Sequence, residues 1–530
     1  MEKKRFYITT PIYYPSGNAH IGHAYCTTMC DIFARYKRSR HFEVYFLTGT
    51  DEHGLKIEKN AKAANKTPKE YVDEIVARFK KLWDAMKISN DDFIRTTDER
   101  HIHVVQSVFS DFIKNDDVYL GKYEGWYCTP CESFWTDTQV GENHLCPDCG
   151  RPVQKEVEEC YFFKTKKYLP ELKKYFEIPD AICPVSRKHE MENNFIKPGL
   201  EDLCVSRTSF SWGIPILENK KHVAYVWLDA LFNYLSALGY RSEDDSLYKK
   251  FWESEESEII HVIGADITRF HTIYWPEFLS ALHLRLPDKV FVHGLLMMKD
   301  GKMSKSKGNV VSPFPLIDRY GVDALRYYFA REIIFGQDGQ FTPEQFIERI
   351  NMDLANNYGN LVSRTLSMII KYFDGIIPPY VENINSNDKE LEDLAKQTKI
   401  SFEQKMDDLH ISEAYMDVMN LLSLANKYIE DNAPWALSKD SSKLNNLKSV
   451  MAHLAYVISI TSMMLKPVLV TKADKVFDYL SLSDEERDYN RIFDTNLLAN
   501  KKVSKGEVLF PRLNNDDVEF VKGLMINNKK

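Results

Sequence analysis

Two histidines three residues apart, His20 and His23, flank Ile21-Gly22 directly after an aromatic and β-branched run. That spacing puts both rings on one face of a helix. A helix N-terminus already attracts anions through its unpaired N–H groups and its dipole. Imidazole N–H donors in that turn therefore suit the binding of a triphosphate. Gly22 has no side chain, which opens its backbone to a flat base. The same four residues also read as two histidines satisfied at a helix start. Far downstream, Lys302-Met303-Ser304-Lys305-Ser306, continued by Lys307-Gly308, sets three lysines on a Gly-flanked loop. Such a loop either reaches phosphate oxygens or is simply solvated. Neither a Gly-x-x-x-x-Gly-Lys phosphate loop nor a Gly-x-Gly-x-x-Gly dinucleotide turn is present.

Four of the nine cysteines form two tight pairs, Cys128-x2-Cys131 and Cys146-x2-Cys149, with fourteen residues between the pairs. This is the spacing of a tetrahedral structural zinc site, closed by four thiolates and so not catalytic. Pro147 and Gly150 fit the tight turn that aims backbone N–H groups at a thiolate. Disulfides are the competing account, and reducing conditions disfavour them. Such knuckles also bind nucleic acid, so a purely structural and a binding role coexist. Cys26 and Cys30 stand four apart on the first helix and are expected in the core, while Cys160, Cys183 and Cys204 are scattered.

These groups need a scaffold to hold them. Phe6–Ile12 predicts a strand, Pro15-Ser16-Gly17-Asn18 a turn, Ile21–Arg38 a long helix, and Val44–Leu47 a buried parallel strand. Together they fit a right-handed βαβ unit. Strand patterns return at Val223–Leu228, Ile259–Ile263 and Val290–Val292, so one α/β sheet is expected in two halves. Between the halves cysteines, aromatics, Gly and Pro increase, which marks an insertion. After about Pro313 strand patterns nearly vanish. Phe346–Phe373, Asp388–Met406, Ile411–Asn432 and Leu447–Met464 are amphipathic. The fold class is thus α/β: a Rossmann-like parallel-sheet domain split by a zinc-binding insertion, then an all-α helical bundle. The expected divisions are 1–117 and 212–312 for the sheet, 118–211 for the insertion, 313–350 for a linker, 351–513 for the bundle and 514–530 for a fraying polar tail. Glu253–Glu258 reads as a solvated acidic loop.

Composition narrows the classes. The chain has 530 residues, 44% hydrophobic and 28% charged, ordinary values for a soluble protein of three or four domains. A net charge of −8 excludes a molecule coated in positive charge but not nucleic acid on a local basic face. No apolar run of about 18 residues predicts a membrane span. The basic N-terminus has no apolar core, so secretion is not expected.

Taken together, His20-Ile21-Gly22-His23 and Lys302-Met303-Ser304-Lys305-Ser306 resemble the two signatures of a class I aminoacyl-tRNA synthetase. A further resemblance, over nearly the whole chain, is to the methionyl-tRNA synthetase family. It rests on Pro11-Ile12-Tyr13-Tyr14, Thr50-Asp51-Glu52-His53-Gly54, Tyr225-Val226-Trp227-Leu228-Asp229-Ala230, Ile263-Gly264-Ala265-Asp266, Arg269-Phe270-His271, Asn360-Leu361-Val362-Ser363-Arg364 and Ala433-Pro434-Trp435.

The resemblance implies a cytoplasmic methionine–tRNA ligase. Methionine would be activated with ATP to methionyl-adenylate and pyrophosphate, then moved to the 3′-terminal adenosine of tRNA(Met), initiator tRNA included. His20, His23, Lys302 and Lys305 would be catalytic. Gly22, Gly264, Asp266 and Ser304 would join them in binding ATP. Methionine would meet Ile12, Tyr14, Asp51, Trp227, Ala230, Leu231, Tyr234, Ile267 and His271. An aromatic pocket suits a polarizable thioether, although the face Trp227, Ala230, Leu231, Tyr234 is also what a core helix shows. Asp51, after a strand end, would pair the substrate ammonium, or be a turn or cap residue. Asp266 has the same plain alternative of a capping role. Leu231 departs from the proline of some relatives. Asn360, Arg364 and Trp435 would face the anticodon, with a core tryptophan as the alternative for Trp435. One structural Zn2+ on Cys128, Cys131, Cys146 and Cys149, Mg2+ with ATP, and a monomer complete the expectation. The rivals are synthetases for leucine, isoleucine, valine or cysteine, a small nucleotidylyltransferase, and a non-catalytic RNA-binding zinc protein.

Overall fold

Phe6, Tyr7 and Ile8 are fully buried in strand β1 (Arg5–Tyr13), the centre of a parallel sheet. The computed structural model describes residues 4–129, 133–135, 137–147, 149–298, 301–302, 310–382 and 384–526. Helix α1 (Ile21–Ser39) follows β1 and leads to β2 (Glu43–Thr50). β1 and β2 pair in parallel, Phe6 opposite Val44 and Tyr13 opposite Thr50. The expected strand–helix–strand unit is therefore present.

Strand β3 (Asp92–Arg95) precedes helix α2 (Glu99–Lys114). The insertion supplies β4 (Val118–Cys128), β5 (Ser133–Trp135) and β6 (Gln154–Phe163). β7 (Ile182–Cys183), β8 (Leu203–Cys204), β9 (Ser206–Arg207) and β10 (Val223–Ala224) are two residues each. β11 (Ser257–Gly264) and β12 (Lys289–His293) complete the main sheet. Its order is β3-β2-β1-β11-β12-β7, with every pairing parallel. The strand order reverses between β1 and β11, and in open α/β sheets ligands bind at the carboxyl ends beside such a switch. The insertion is an antiparallel sheet of order β5-β4-β6-β8.

One strand expectation is corrected. Val223–Leu228 gives only the two residues of β10, paired antiparallel to β9 outside the main sheet. From Val226 the chain turns into helix α3 (Val226–Leu231), and the Tyr225 carbonyl accepts the N–H groups of Leu228 and Asp229. Burial of Asp229 between two histidines overrides the local β-branched preference. Glu253–Glu258 is likewise not wholly loop, since Glu258 lies in β11 opposite Phe6. Helix α4 (Trp275–Ala281) closes this region.

By internal contacts the chain forms two compact units, one of residues 1–19, 42–83 and 89–293, the other of 20–41, 84–88 and 294–530. The second holds a small sheet of β13 (Leu296–Met298), β14 (Gly301–Lys302) and β15 (Gly339–Gln340) and then helices. α5 (Val322–Glu332) carries the fully buried Arg326, whose guanidinium lies 2.7 Å from Asp31 of α1. A π-helical stretch (Ile350–Gly359) runs straight into α6 (Asn360–Phe373). α7 (Asp388–Asp407), α8 (Ile411–Asn432), the short α9 (Pro434–Leu437) and α10 (Leu444–Leu465) make the bundle. α10 is long and apolar enough to pass a composition test for a membrane span, but 94% of that window is buried among its neighbours. It is the core helix of the bundle. Over its described part the tail is helix rather than frayed chain: α11 (Asn515–Ile526) begins where the Asp517 N–H donates to the Asn514 carbonyl and the Asn514 N–H to the Asp517 carboxylate. Arg319 binds the Asp517 carboxylate through Nε and Nη2.

Candidate active site and nucleic-acid interface

Three neighbouring strand ends carry the residues expected to bind substrates. Ile12 is the last residue but one of β1 and Tyr14 follows the strand, Asp51 follows β2, and Gly264 ends β11 with Asp266 two residues beyond. Asp51 is 7% exposed, and its N–H donates to the Tyr13 carbonyl. A Cβ on Gly264 would stand 2.8 Å from Asp266 Oδ1, so the Asp266 carboxylate lies back over the glycine.

The rest of the expected methionine pocket surrounds a hydrogen-bonded pair. Tyr234 Oη lies 2.8 Å from His271 Nε2, and His271 Nδ1 lies 3.0 Å from the Ile267 carbonyl. A carbonyl only accepts, so Nδ1 carries the proton and Nε2 accepts from the tyrosine. Burial pushes the His271 imidazole down to about 4, which keeps the ring neutral. Tyr7 Oη donates to the Tyr234 carbonyl at 2.7 Å and fixes that residue's backbone. Trp227 stacks on Phe270, centroids 3.3 Å apart and 6° from parallel. Leu231 and Tyr234 belong to one core cluster, against which half-buried Ile12, Trp227 and Ile267 pack. Ala230 is 7% exposed on α3. Tyr14 stands apart from that cluster, beneath the Lys56 ammonium at 5.4 Å.

The residues between these groups escape a sequence reading. Glu52 is fully buried and takes Arg95 through both carboxylate oxygens at 2.6 and 2.9 Å. Asp229, also fully buried, bridges His53 and His101. In the sequence Glu52 and Asp229 stand only within the motifs Thr50-Asp51-Glu52-His53-Gly54 and Tyr225-Val226-Trp227-Leu228-Asp229-Ala230, with no role attached to them.

In the second unit His20 is the N-cap of α1. Gly22 N–H donates to His20 Nδ1 at 3.1 Å, and His20 N–H donates to His23 Nδ1 at 3.0 Å. A nitrogen that accepts carries no proton, so in the neutral tautomer each Nε2 holds the hydrogen. The helix-start reading therefore holds through the two Nδ1 atoms. Ile21 N–H donates to the Val311 carbonyl at 3.0 Å, which seats the histidine turn beside the segment just past the lysine motif. Lys302 is in β14. Ser304 and Lys305 lie outside the described residues.

The cysteine cluster is in the first unit. Cys128, Cys146 and Cys149 bring their sulfurs within 4.8 Å of one another, with Cys128 and Cys149 at 3.5 Å, far beyond a disulfide bond of about 2.05 Å. Gly150 sits at φ +68° in the expected turn, but its N–H donates to the Cys146 carbonyl rather than to a thiolate. Trp135, Val140 and Val153 pack around Cys128 and Cys146. Cys131 lies outside the described residues. This donor set fits a metal ion. Cys26 and Cys30 are buried on α1, as expected.

On the bundle, Asn360 donates to Asn426 at 3.2 Å and Arg364 pairs with Glu430 at 2.6 Å. Trp435, on α9, is 42% exposed. That excludes the core-tryptophan alternative.

A parallel sheet with a histidine-capped helix after its first strand, followed by a helical bundle, defines a class I aminoacyl-tRNA synthetase. The chain matches the family model "tRNA synthetases class I (M)" over residues 6–160 and 150–366, and "Anticodon binding domain of methionyl tRNA ligase" over 377–523. The methionine–tRNA ligase of Bacillus subtilis is 52% identical over 537 residues, 99% of this chain and 80% of the relative. That of Clostridium acetobutylicum is 53% identical over 520 residues, 97% and 79%. Mycobacterium tuberculosis methionyl-tRNA synthetase in complex with methionyl-adenylate superposes with TM-score 0.91 at 36% identity, over 96% of this chain and 100% of that one. Its free form gives 0.85 at 34%, over 97% and 99%. The chain belongs to the methionyl-tRNA synthetase family and is an ATP-dependent methionine–tRNA ligase.

Proposed function

We propose that methionine binds at the carboxyl ends of β1, β2 and β11. The observation that carries this reading is the convergence of Ile12, Tyr14, Asp51 and the Gly264–Asp266 turn on three adjacent parallel strand ends. Asp51 pairs the substrate ammonium. The thioether lies among Ile12, Trp227, Ala230, Leu231, Tyr234, Ile267 and His271. A neutral His271 suits an uncharged sulfur, because a buried imidazolium would cost desolvation with nothing to offset it.

For adenylate formation, His20 and His23 donate Nε2–H to the triphosphate. Gly22 and Gly264 admit the nucleotide closely, and Asp266 accepts from a ribose hydroxyl. Lys302 and Lys305, with Ser304, neutralise the charge that builds on departing pyrophosphate. The carboxylate oxygen of methionine bonds to the α-phosphorus as the bond to the pyrophosphate oxygen breaks. Protein groups form no covalent bond in that step, so rate comes from positioning and charge stabilisation. Mg2+ accompanies the ATP.

Cys128, Cys131, Cys146 and Cys149 hold one Zn2+ that folds the tip of the insertion. The divisions 1–117, 118–211, 212–312, 313–350, 351–513 and 514–530 serve as first half-sheet, insertion, second half-sheet, linker, anticodon domain and tail. Asn360, Arg364 and Trp435 read the anticodon of tRNA(Met), initiator tRNA included. The enzyme acts in the cytoplasm as a monomer. Pyrophosphate exchange with each of the twenty amino acids tests the site: exchange with methionine alone supports it, and exchange with leucine, valine or cysteine at a similar rate overturns it. Metal analysis should find about one zinc per chain, and none in gently purified protein would refute the cysteine site.

A further inference from the structure

The first unit contains a buried hydrogen-bonded chain that the roles above do not use. Asp229 Oδ2 lies 2.7 Å from His53 Nδ1, and Oδ1 lies 2.9 Å from His101 Nε2. His101 Nδ1 lies 2.7 Å from Ser236 Oγ. Asp229, His101 and Ser236 are at most 1% exposed, and His53 is 7% exposed. Burial works to raise the Asp229 carboxyl, but its interactions with the His53 and His101 rings hold it below its usual range. An ionised carboxylate only accepts, so His53 Nδ1–H and His101 Nε2–H both donate to it. No third partner is needed for the two oxygens to be satisfied.

The placement of this chain gives it meaning. Asp229 stands on α3 two residues after Trp227 and directly before Ala230, the helix that carries the side-chain half of the methionine site. His53 stands two residues after Asp51, the ammonium half. The segment between is pinned on its other sides: Arg95 grips Glu52, and Trp212 Nε1 donates to the Glu52 carbonyl at 2.6 Å. The Asp229–His53 bond is the strut that joins the two halves. Its length sets the span between the carboxylate that takes the ammonium and the ring that takes the sulfur.

We propose that Asp229 is a positioning residue for methionine, acting through His53 to fix the distance between Asp51 and Trp227, while His101, itself bonded to Ser236, holds its second oxygen. This rests on the methionine site proposed above. Asparagine at 229 would keep the shape but offer one acceptor and an N–H2 group to two N–H donors, so one histidine must either turn away or change tautomer and accept, and the charge-assisted pairing is lost in both cases. A displacement of the order of 1 Å between the two ends of a small substrate is costly.

The test is methionine-dependent pyrophosphate exchange by the full chain, with active sites counted from the adenylate burst. Asp229→Asn and His53→Ala should each raise KM for methionine about tenfold to a hundredfold, with KM for ATP within about twofold. His53→Asn should restore KM for methionine to within about threefold, because the Asn side-chain amide donates from nearly the place of Nδ1. Asp51→Ala and Trp227→Ala run alongside. An unchanged KM for methionine in Asp229→Asn, with a large rise in those two, overturns the strut alone. A parallel fall of all parameters in His53→Ala and His53→Asn also overturns it, since a merely structural role would not separate the two. An unchanged KM in Asp51→Ala and Trp227→Ala removes the methionine site itself and the inference with it. If Asp229→Asn fails to fold, the His53 pair decides.

Discussion

The proposed methionine site and the proposed anticodon face of this chain are built differently. Around Asp51 the polar side chains are buried and bonded before substrate arrives: Glu52 by Arg95, Asp229 by two histidines, His271 by Tyr234 and Ile267. On the bundle, Arg364 and Glu430 are 33% and 58% exposed at their side chains, and Trp435 presents much of its ring to solvent. A small, flexible ligand with an uncharged side chain gives few handles, so its site must be rigid to discriminate at all. A large polyanion brings its own bases and phosphates, so loosely held groups suffice, and an exposed ion pair can open to meet a base at little cost.

That contrast can be broken in several ways. The largest effect is expected for Lys305→Ala, which should slow adenylate formation about 100- to 1000-fold while methionine affinity barely moves. Unchanged pyrophosphate exchange would remove the lysine motif from the chemistry. Next, Trp435→Ala should weaken tRNA binding by about 1–3 kcal/mol, seen as a raised KM for tRNA with amino-acid activation intact. A parallel loss of both would make the tryptophan a packing residue and erase the contrast.

Glu277 on α4 is the exception within the rigid half. It is fully buried, and among the described residues neither carboxylate oxygen has a hydrogen-bond partner. Burial, helped by Asp202, pushes its carboxyl up from 4.5 to about 9. The folded state therefore keeps a proton that the unfolded chain has lost between those limits. Stability should fall as pH rises through that window, by about 1.4 kcal/mol per pH unit for a full proton. Glu277→Gln should flatten the dependence and stabilise most near pH 8, little near pH 4. Urea unfolding at several pH values would show it, and equal slopes in the two proteins would mean that the acid is ionised and paired. The smallest effect belongs to the other half: Glu430→Ala should change stability by less than about 1 kcal/mol, because both partners reach water.

Long periodic elements were legible from residues alone. Ile411–Asn432 is a helix over the range its pattern predicts, and β1 and α1 differ from expectation only at their ends. Turn chemistry was legible too, in Gly150 beside the cysteines. Elements decided by remote partners were not. Val223–Leu228 carries a strand's residue types, yet turns to helix from Val226, where Asp229 is claimed by histidines 128 and 176 positions away. The tail reads as polar and frayed, yet Arg319, nearly two hundred positions upstream, anchors it through Asp517. The acceptor role of each Nδ1 in the His20–His23 turn was equally hidden. It depends on backbone geometry that residue types do not encode.

The chain passes between its two units five times, at 19–20, 41–42, 83–84, 88–89 and 293–294. Its first long helix belongs with the later residues: Asp31 meets Arg326, Tyr36 lies edge-on to Phe402, and Lys37 bonds Asp407. Genetic dissection at His293 would therefore not liberate a self-sufficient catalytic half. It would strand a carboxylate with its buried cation removed and bare an aromatic seam, so the excised piece should aggregate. The bundle works as a folding partner of the histidine-bearing helix, whatever it does for RNA.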